Sequence, residues 1–126
     1  MSKKRINTEN APAAIGPYSQ AIVTGNLLFT SGQLPIDPAT GKVSTGSSEE
    51  QAHTVFRNLQ AIAEAAGTIL DNAVKVTVFL ADIKNFQAVN TVYAEYFKEP
   101  FPARSAFQVA ALPLGADLEI EAIFEL

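Results

Sequence analysis

The stretch FPARS, Phe101 to Ser105, sets a guanidinium into a short run that otherwise reads as strand. On a period of two, Arg104 shares a face with Ala106 and Gln108, while Phe107 and Val109 take the other. A guanidinium is a rigid planar fork that matches a carboxylate with two parallel hydrogen bonds, and a cation held on a sheet needs a partner or a ligand. A solvated arginine, or one paired with a nearby glutamate, accounts for the same spacing and is the commoner outcome for an isolated charge. Carboxylates are at hand. In the last run Glu119, Glu121 and Glu125 alternate with Leu118, Ile120, Ala122 and Phe124, so one face is apolar and the other acidic. If the two runs pair, Arg104 and the acidic face lie on the same side of a sheet, opposite the helices, as a candidate acid-and-cation site.

Other residue types are excluded or scarce. With no cysteine, disulfides, thiol catalysis and thiolate metal sites fall away. The one histidine, His53, falls on a probable helix and is expected at the surface, and a single imidazole gives no His-rich metal cluster and no easy Ser-His-Asp relay. A formal net charge of -4 and a pI near 4.9 supply no general basic footprint for nucleic acid. No apolar run approaches the ~20 residues of a bilayer span. Lys3, Lys4 and Arg5 are followed by polar Asn7, Thr8, Glu9 and Asn10 where a signal peptide would be apolar, so a cytoplasmic protein is expected. The 126 residues, 48% hydrophobic and 17% charged, read as one globular domain spanning residues 1–126.

The elements that must position these groups follow from pattern. Residues 1–17, with Pro12, Gly16 and Pro17, read as an irregular lead-in, closed by Tyr18. Gln20 to Thr24 and Leu27 to Gln33 favour strand, and Gly25-Asn26 between them is a hairpin signal. Ser31 and Gly32 lie at the end of the second strand, where a glycine either admits a ligand to the backbone or makes a bend. Ser48 with Gln51 reads as a capping box opening a helix that Gly67 ends. Val74, Val76, Val78 and Leu80 mark a central strand. Asp82 or Asn85 then caps a second helix, whose stripe of Phe86, Val89, Tyr93 and Phe97 runs toward Pro100. Asn90 sits inside that stripe, where an amide either satisfies a backbone group or faces a polar pocket. Strands at Ala103 to Val109 and Leu118 to Glu125 complete an α+β order, with two helices on one face of a mixed sheet of five or six strands. Phe79 and Ile123 fall on the opposite face, which is therefore partly apolar and expected to be covered by another subunit.

Five ordered segments carry a resemblance to a known family: NAPAAIGPYSQ (Asn10 to Gln20), TSGQLP (Thr30 to Pro35), VNTVY around Asn90, FPARS, and EIEAI (Glu119 to Ile123). The chain resembles the RidA (YjgF) family of reactive-intermediate deaminases over essentially its whole length. The resemblance implies a chorismate-mutase-like α+β fold, a homotrimer with sites between subunits, and hydrolysis of 2-imino acids such as 2-iminobutanoate and 2-iminopropanoate to 2-keto acids and ammonia. It implies no cofactor and no metal. It assigns Arg104 to the substrate carboxylate and Glu119 to the attacking water. Tyr18, Ser31 and Asn90 would line the pocket, with the backbone of Gly32 and Ala106 facing the ligand. Ala106 departs from the cysteine that many members carry, so a backbone role there survives and a thiol role does not. A sensor of small 2-keto or 2-amino acids without turnover would use the same pocket. An endoribonuclease or translation inhibitor is the weaker alternative, given the few positive charges.

Overall fold

The computed structural model describes residues 2–126. Six strands form one mixed sheet in the order β1-β2-β3-β6-β4-β5: β1 (Lys4–Ile6), β2 (Ala21–Thr24), β3 (Leu27–Thr30), β4 (Ala73–Leu80), β5 (Ala103–Gln108) and β6 (Leu118–Glu125). Only β4 and β5 run parallel; every other pairing is antiparallel. The β2–β3 hairpin turns at Gly25, whose φ of 57° is the left-handed conformation such a turn requires. The lead-in holds a strand that composition does not announce. Lys-Arg-Ile has no useful period, and β1 exists because its backbone pairs with β2, Arg5 opposite Ile22.

Helix α1 (Ser48–Ala65) and helix α2 (Phe86–Tyr96) cover one face of the sheet. The capping box of α1 lies one residue earlier than the pattern suggests: Ser47 caps the Glu50 amide, and the Glu50 carboxylate returns to the Ser47 amide. Gln51 cannot serve, because its buried amide donates to the Gly46 carbonyl and to Asp117. At the other end Gly67 (φ 86°) donates to Glu64 and Thr68 to Ala63, closing a Schellman cap. Asp82 caps the short turn Ile83–Asn85 that leads into α2.

Val55, Phe56, Leu59 and Ile62 of α1 meet Leu28, Val76, Ile120 and Phe124 of the sheet, all fully buried. Each such side chain contributes roughly 1.5–3 kcal/mol relative to exposure. Val74 leaves this set: a register irregularity between Ala73 and Lys75 turns Ala73 inward and leaves Val74 exposed. His53 is half-buried rather than at the surface, its Nδ1 2.9 Å from the Tyr96 hydroxyl across the two helices. The uncovered face is partly apolar, with Phe29 39% and Phe107 43% exposed, as the placing of Phe79 and Ile123 on it predicts.

Candidate active site

β5 begins directly after Pro102 and lies at the edge of the sheet, so its outer side offers unpaired backbone groups. In register Arg104 stands beside Val76, and Val76 beside Ala122, which puts Arg104 on the helix-covered face at the open edge. There α2 receives it. Phe86, Asn90 and Tyr93 are spaced four and then three residues apart, which brings them to one side of the helix. Asn90 Oδ1 accepts a hydrogen bond from Arg104 Nη1 at 2.7 Å. The guanidinium carbon lies 4.7 Å from the centre of the Tyr93 ring and 5.3 Å from that of Phe86. Among the described residues, no carboxylate stands within ion-pair distance of this cation; the ion pair formed is Lys98 with Asp71, at 3.1 Å on the surface.

Two adjoining grooves share Arg104. One, of about 400 Å³, is lined by Asn90, Tyr93, Ala94, Phe101 and Pro102. The other, of about 420 Å³, is lined by Ile83, Phe86 and Ala106. Burial pushes the Tyr93 phenol above its ordinary range, against the opposing pull of the Arg104 charge. The phenol is therefore neutral at working pH and is no counter-ion to the guanidinium.

Glu119 belongs to a different surface. It is level with Phe79 on β4, and Phe79 with Phe107 on β5, so it projects from the uncovered face. Its carboxylate lies against Gly32: a Cβ built on that glycine would stand 2.5 Å from Glu119 Oε2. Burial, and then the like charge of Glu121 two residues on, hold the Glu119 carboxyl above the usual carboxylate range. Gly32 and Tyr18 line a small cavity of about 60 Å³. The Ser31 hydroxyl donates to the Ser19 carbonyl, and Tyr18, 54% exposed, reaches back with its hydroxyl to the Ile15 amide. This lead-in is pinned by one buried amide. Gln20 accepts from the Thr8 N–H and donates to the carbonyls of Thr8 and Pro12.

The seven residues singled out in the sequence thus fall into two sets. Arg104, Asn90 and Ala106 cluster at the β5 edge; Glu119, Gly32, Ser31 and Tyr18 cluster at the β3 and β6 ends. The expectation that Arg104 and the acidic face share one side of the sheet is corrected. β5 and β6 do not pair, because β4 lies between them, and the alternation sends Arg104 toward the helices and Glu119 away. Two strand spacings and three residues along put their Cα atoms roughly 14 Å apart, with side chains diverging. Tyr93, Phe86 and Phe101 also line the candidate site, and helical spacing from Asn90 marks the first two. Among the described residues, no group of three or more His, Asp or Glu side chains could hold a metal ion, and no helix is long and apolar enough to cross a membrane.

Residues 8–126 match the family described as Endoribonuclease L-PSP. The 2-iminobutanoate/2-iminopropanoate deaminase of Bos taurus is 52% identical over 121 residues, 96% of this chain and 88% of that protein. Among solved structures, YyfA of the Rid protein family from Yersinia pestis superposes with a TM-score of 0.97 at 48% identity, covering 99% of this chain and 100% of that one. TdcF of E. coli with bound serine superposes with a TM-score of 0.92 at 41% identity, covering 98% of each chain.

Proposed function

The chain belongs to the Endoribonuclease L-PSP family, with Rid proteins and imine deaminases among its relatives, and from that premise we propose that it hydrolyses 2-iminobutanoate and 2-iminopropanoate to the 2-keto acids and ammonia. The observation that carries this reading is Arg104. Its guanidinium is steadied by an amide and two rings, lacks a carboxylate partner among the described residues, and opens onto a groove of small-molecule size. A substrate carboxylate completes it.

In the proposed mechanism the fork of Arg104 holds the carboxylate and Asn90 fixes the fork. Glu119 takes a proton from water while the oxygen adds to the imine carbon. The proton passes from Glu119 to nitrogen, the carbon–nitrogen bond breaks as the hydroxyl proton returns to Glu119, ammonia leaves and the carbonyl forms; ammonia or solvent then takes the proton from Glu119. A protonated imine is already electrophilic, so positioning and a general base carry the rate, the latter by ~10²–10⁴-fold. The two sets of residues diverge within one protomer, so Glu119, Gly32, Ser31 and Tyr18 of one copy are proposed to close over Arg104, Asn90 and Ala106 of the next. The partly apolar uncovered face supports that packing, and a homotrimer acting in the cytoplasm is part of the proposal.

Two consequences concern Glu119. As a base it must be ionised, so the rate should fall about tenfold per pH unit below its raised pKa, with the acid limb above the ordinary carboxylate range. Glu121→Gln removes the like charge and should move that limb to lower pH, as pH–rate profiles of the two proteins would reveal; an unmoved limb assigns it to another group. Gly32→Ala should push the Glu119 carboxylate aside. Because the clash falls on the far end of a flexible side chain, melting temperature should change little while kcat drops by roughly a hundredfold. Unchanged turnover in Gly32→Ala would mean the carboxylate need not lie there.

A sensor without turnover is a second reading, favoured by the serine bound in TdcF. Calorimetric binding of 2-oxobutanoate with no acceleration of ammonia release from dehydratase-generated imine would establish it. Nuclease chemistry, which the family description suggests, finds a single cation in the groove and a net charge of -4, and so no track for a phosphate backbone.

A further inference from the structure

We propose that Tyr93 is a positioning residue, whose aromatic ring, assisted by Phe86, holds the Arg104 guanidinium in its carboxylate-binding pose; this deepens the deaminase reading and rests on it. An arginine on an edge strand has four rotatable bonds and, in this chain, one hydrogen bond from its head group to a side chain, the 2.7 Å contact with Asn90. One hydrogen bond fixes a point, not a plane. The remaining constraint comes from ring faces, which attract the cation through their negative π density, and the Tyr93 centre at 4.7 Å and Phe86 centre at 5.3 Å are both within the ~6 Å reach of that interaction. Neither ring competes for the donors of the fork, as a structural carboxylate would, so the fork stays available to the ligand.

The Tyr93 ring is itself well fixed. Tyr93 is 5% exposed, meets Phe56 edge-on at 5.9 Å between centres and lies 4.6 Å from the centre of Phe97. Phe56 belongs to α1, so the guanidinium is referenced through Tyr93 to the packed core and not to a mobile surface. The hydroxyl takes no part: Tyr93 Oη is buried and has no hydrogen-bond partner among the described residues. The ring is the working part of this side chain.

The test compares Tyr93→Leu, Tyr93→Phe and Arg104→Ala, singly and with Tyr93→Leu combined with Arg104→Ala. Dissociation constants for 2-oxobutanoate are read by calorimetry, kcat and KM with dehydratase-generated imine, and folding by melting temperature. Tyr93→Leu should weaken 2-oxobutanoate binding about tenfold and raise KM with it. Tyr93→Phe should restore the lost affinity to within about twofold of the unaltered protein. In the Arg104→Ala background, Tyr93→Leu should have no further effect, because a residue acting through the guanidinium has nothing left to act on. Unweakened binding in Tyr93→Leu, failure of Tyr93→Phe to restore it, or full additivity with Arg104→Ala overturns the inference. If Tyr93→Leu does not fold, half-buried Phe86→Leu is judged by the same cycle, with about threefold weakening expected and full affinity overturning the ring assignment. An unaltered protein that binds 2-oxobutanoate but releases no ammonia overturns the deaminase reading while leaving the ring assignment to the binding cycle; one that binds no carboxylate overturns both.

Discussion

Arg104→Ala is expected to lower kcat/KM for imine hydrolysis by about a thousandfold, close to 4 kcal/mol of transition-state stabilisation. In the proposed site, removal of the guanidinium strips the substrate carboxylate of its counter-charge inside a partly enclosed groove, and truncating one member of such a pair typically costs roughly 2–5 kcal/mol. It also frees the imine carbon to wander from the water it must meet, and misplacement of about 1 Å is enough for about a hundredfold. Folding should be spared, because the Arg104 side chain makes no ion pair among the described residues and lies at an exposed edge. The check is ammonia release from imine generated in place by threonine dehydratase, with both proteins assayed side by side. Arg104→Lys keeps the charge and loses the fork, so it should fall between the two. Undiminished release by Arg104→Ala would remove the proposed carboxylate clamp, and with it the deaminase mechanism.

The second large effect is a gain. Arg104→Ala and Glu119→Gln should each be nearly inactive alone, the latter by ~10²–10⁴-fold for loss of the base. If each site draws Arg104 from one copy and Glu119 from the next, subunits mixed in equal amounts after reversible dissociation pair the two intact halves in about one quarter of the contacts of a closed ring. Activity should therefore rise from near zero to about a quarter of that of the unaltered protein. The result depends on where the side chains point: Arg104 is level with Val76 on the covered face, and Glu119 with Phe79 on the other. Verified subunit exchange without recovery of activity would mean that both groups serve a site from the same copy, contrary to the divergence seen in the protomer.

Much of the scaffold is legible in the sequence. The alternation of Val76, Val78 and Leu80 located the inner strand, Gly25-Asn26 the hairpin, and Gly67 the end of α1, because each is a local signal with a local cause. β1 was missed because three residues of Lys-Arg-Ile become a strand only through the backbone of β2, an influence that composition does not carry. The capping box slipped by one since Ser47 and Ser48 both stand three residues before a Glu or Gln; tertiary burial of Gln51 decided between them.

The candidate site residues are legible as types and illegible as geometry. Arg104 and Glu119 could be named from sequence pattern and family resemblance, yet which face each occupies depended on strand order, and the insertion of β4 between β5 and β6 is a long-range choice. Tyr93 belongs to the apolar stripe of α2 and is buried. Its place beneath the Arg104 guanidinium depends on how α2 packs beside the β5 edge, which no local pattern carries.

Both borders of the sheet carry cations. β1 shows Lys4 and Arg5 to solvent, while β5 shows Arg104, and both outer strands are exposed at these positions. Cations along an unpaired strand repel a twin and discourage the endless strand-on-strand addition that leads to fibres.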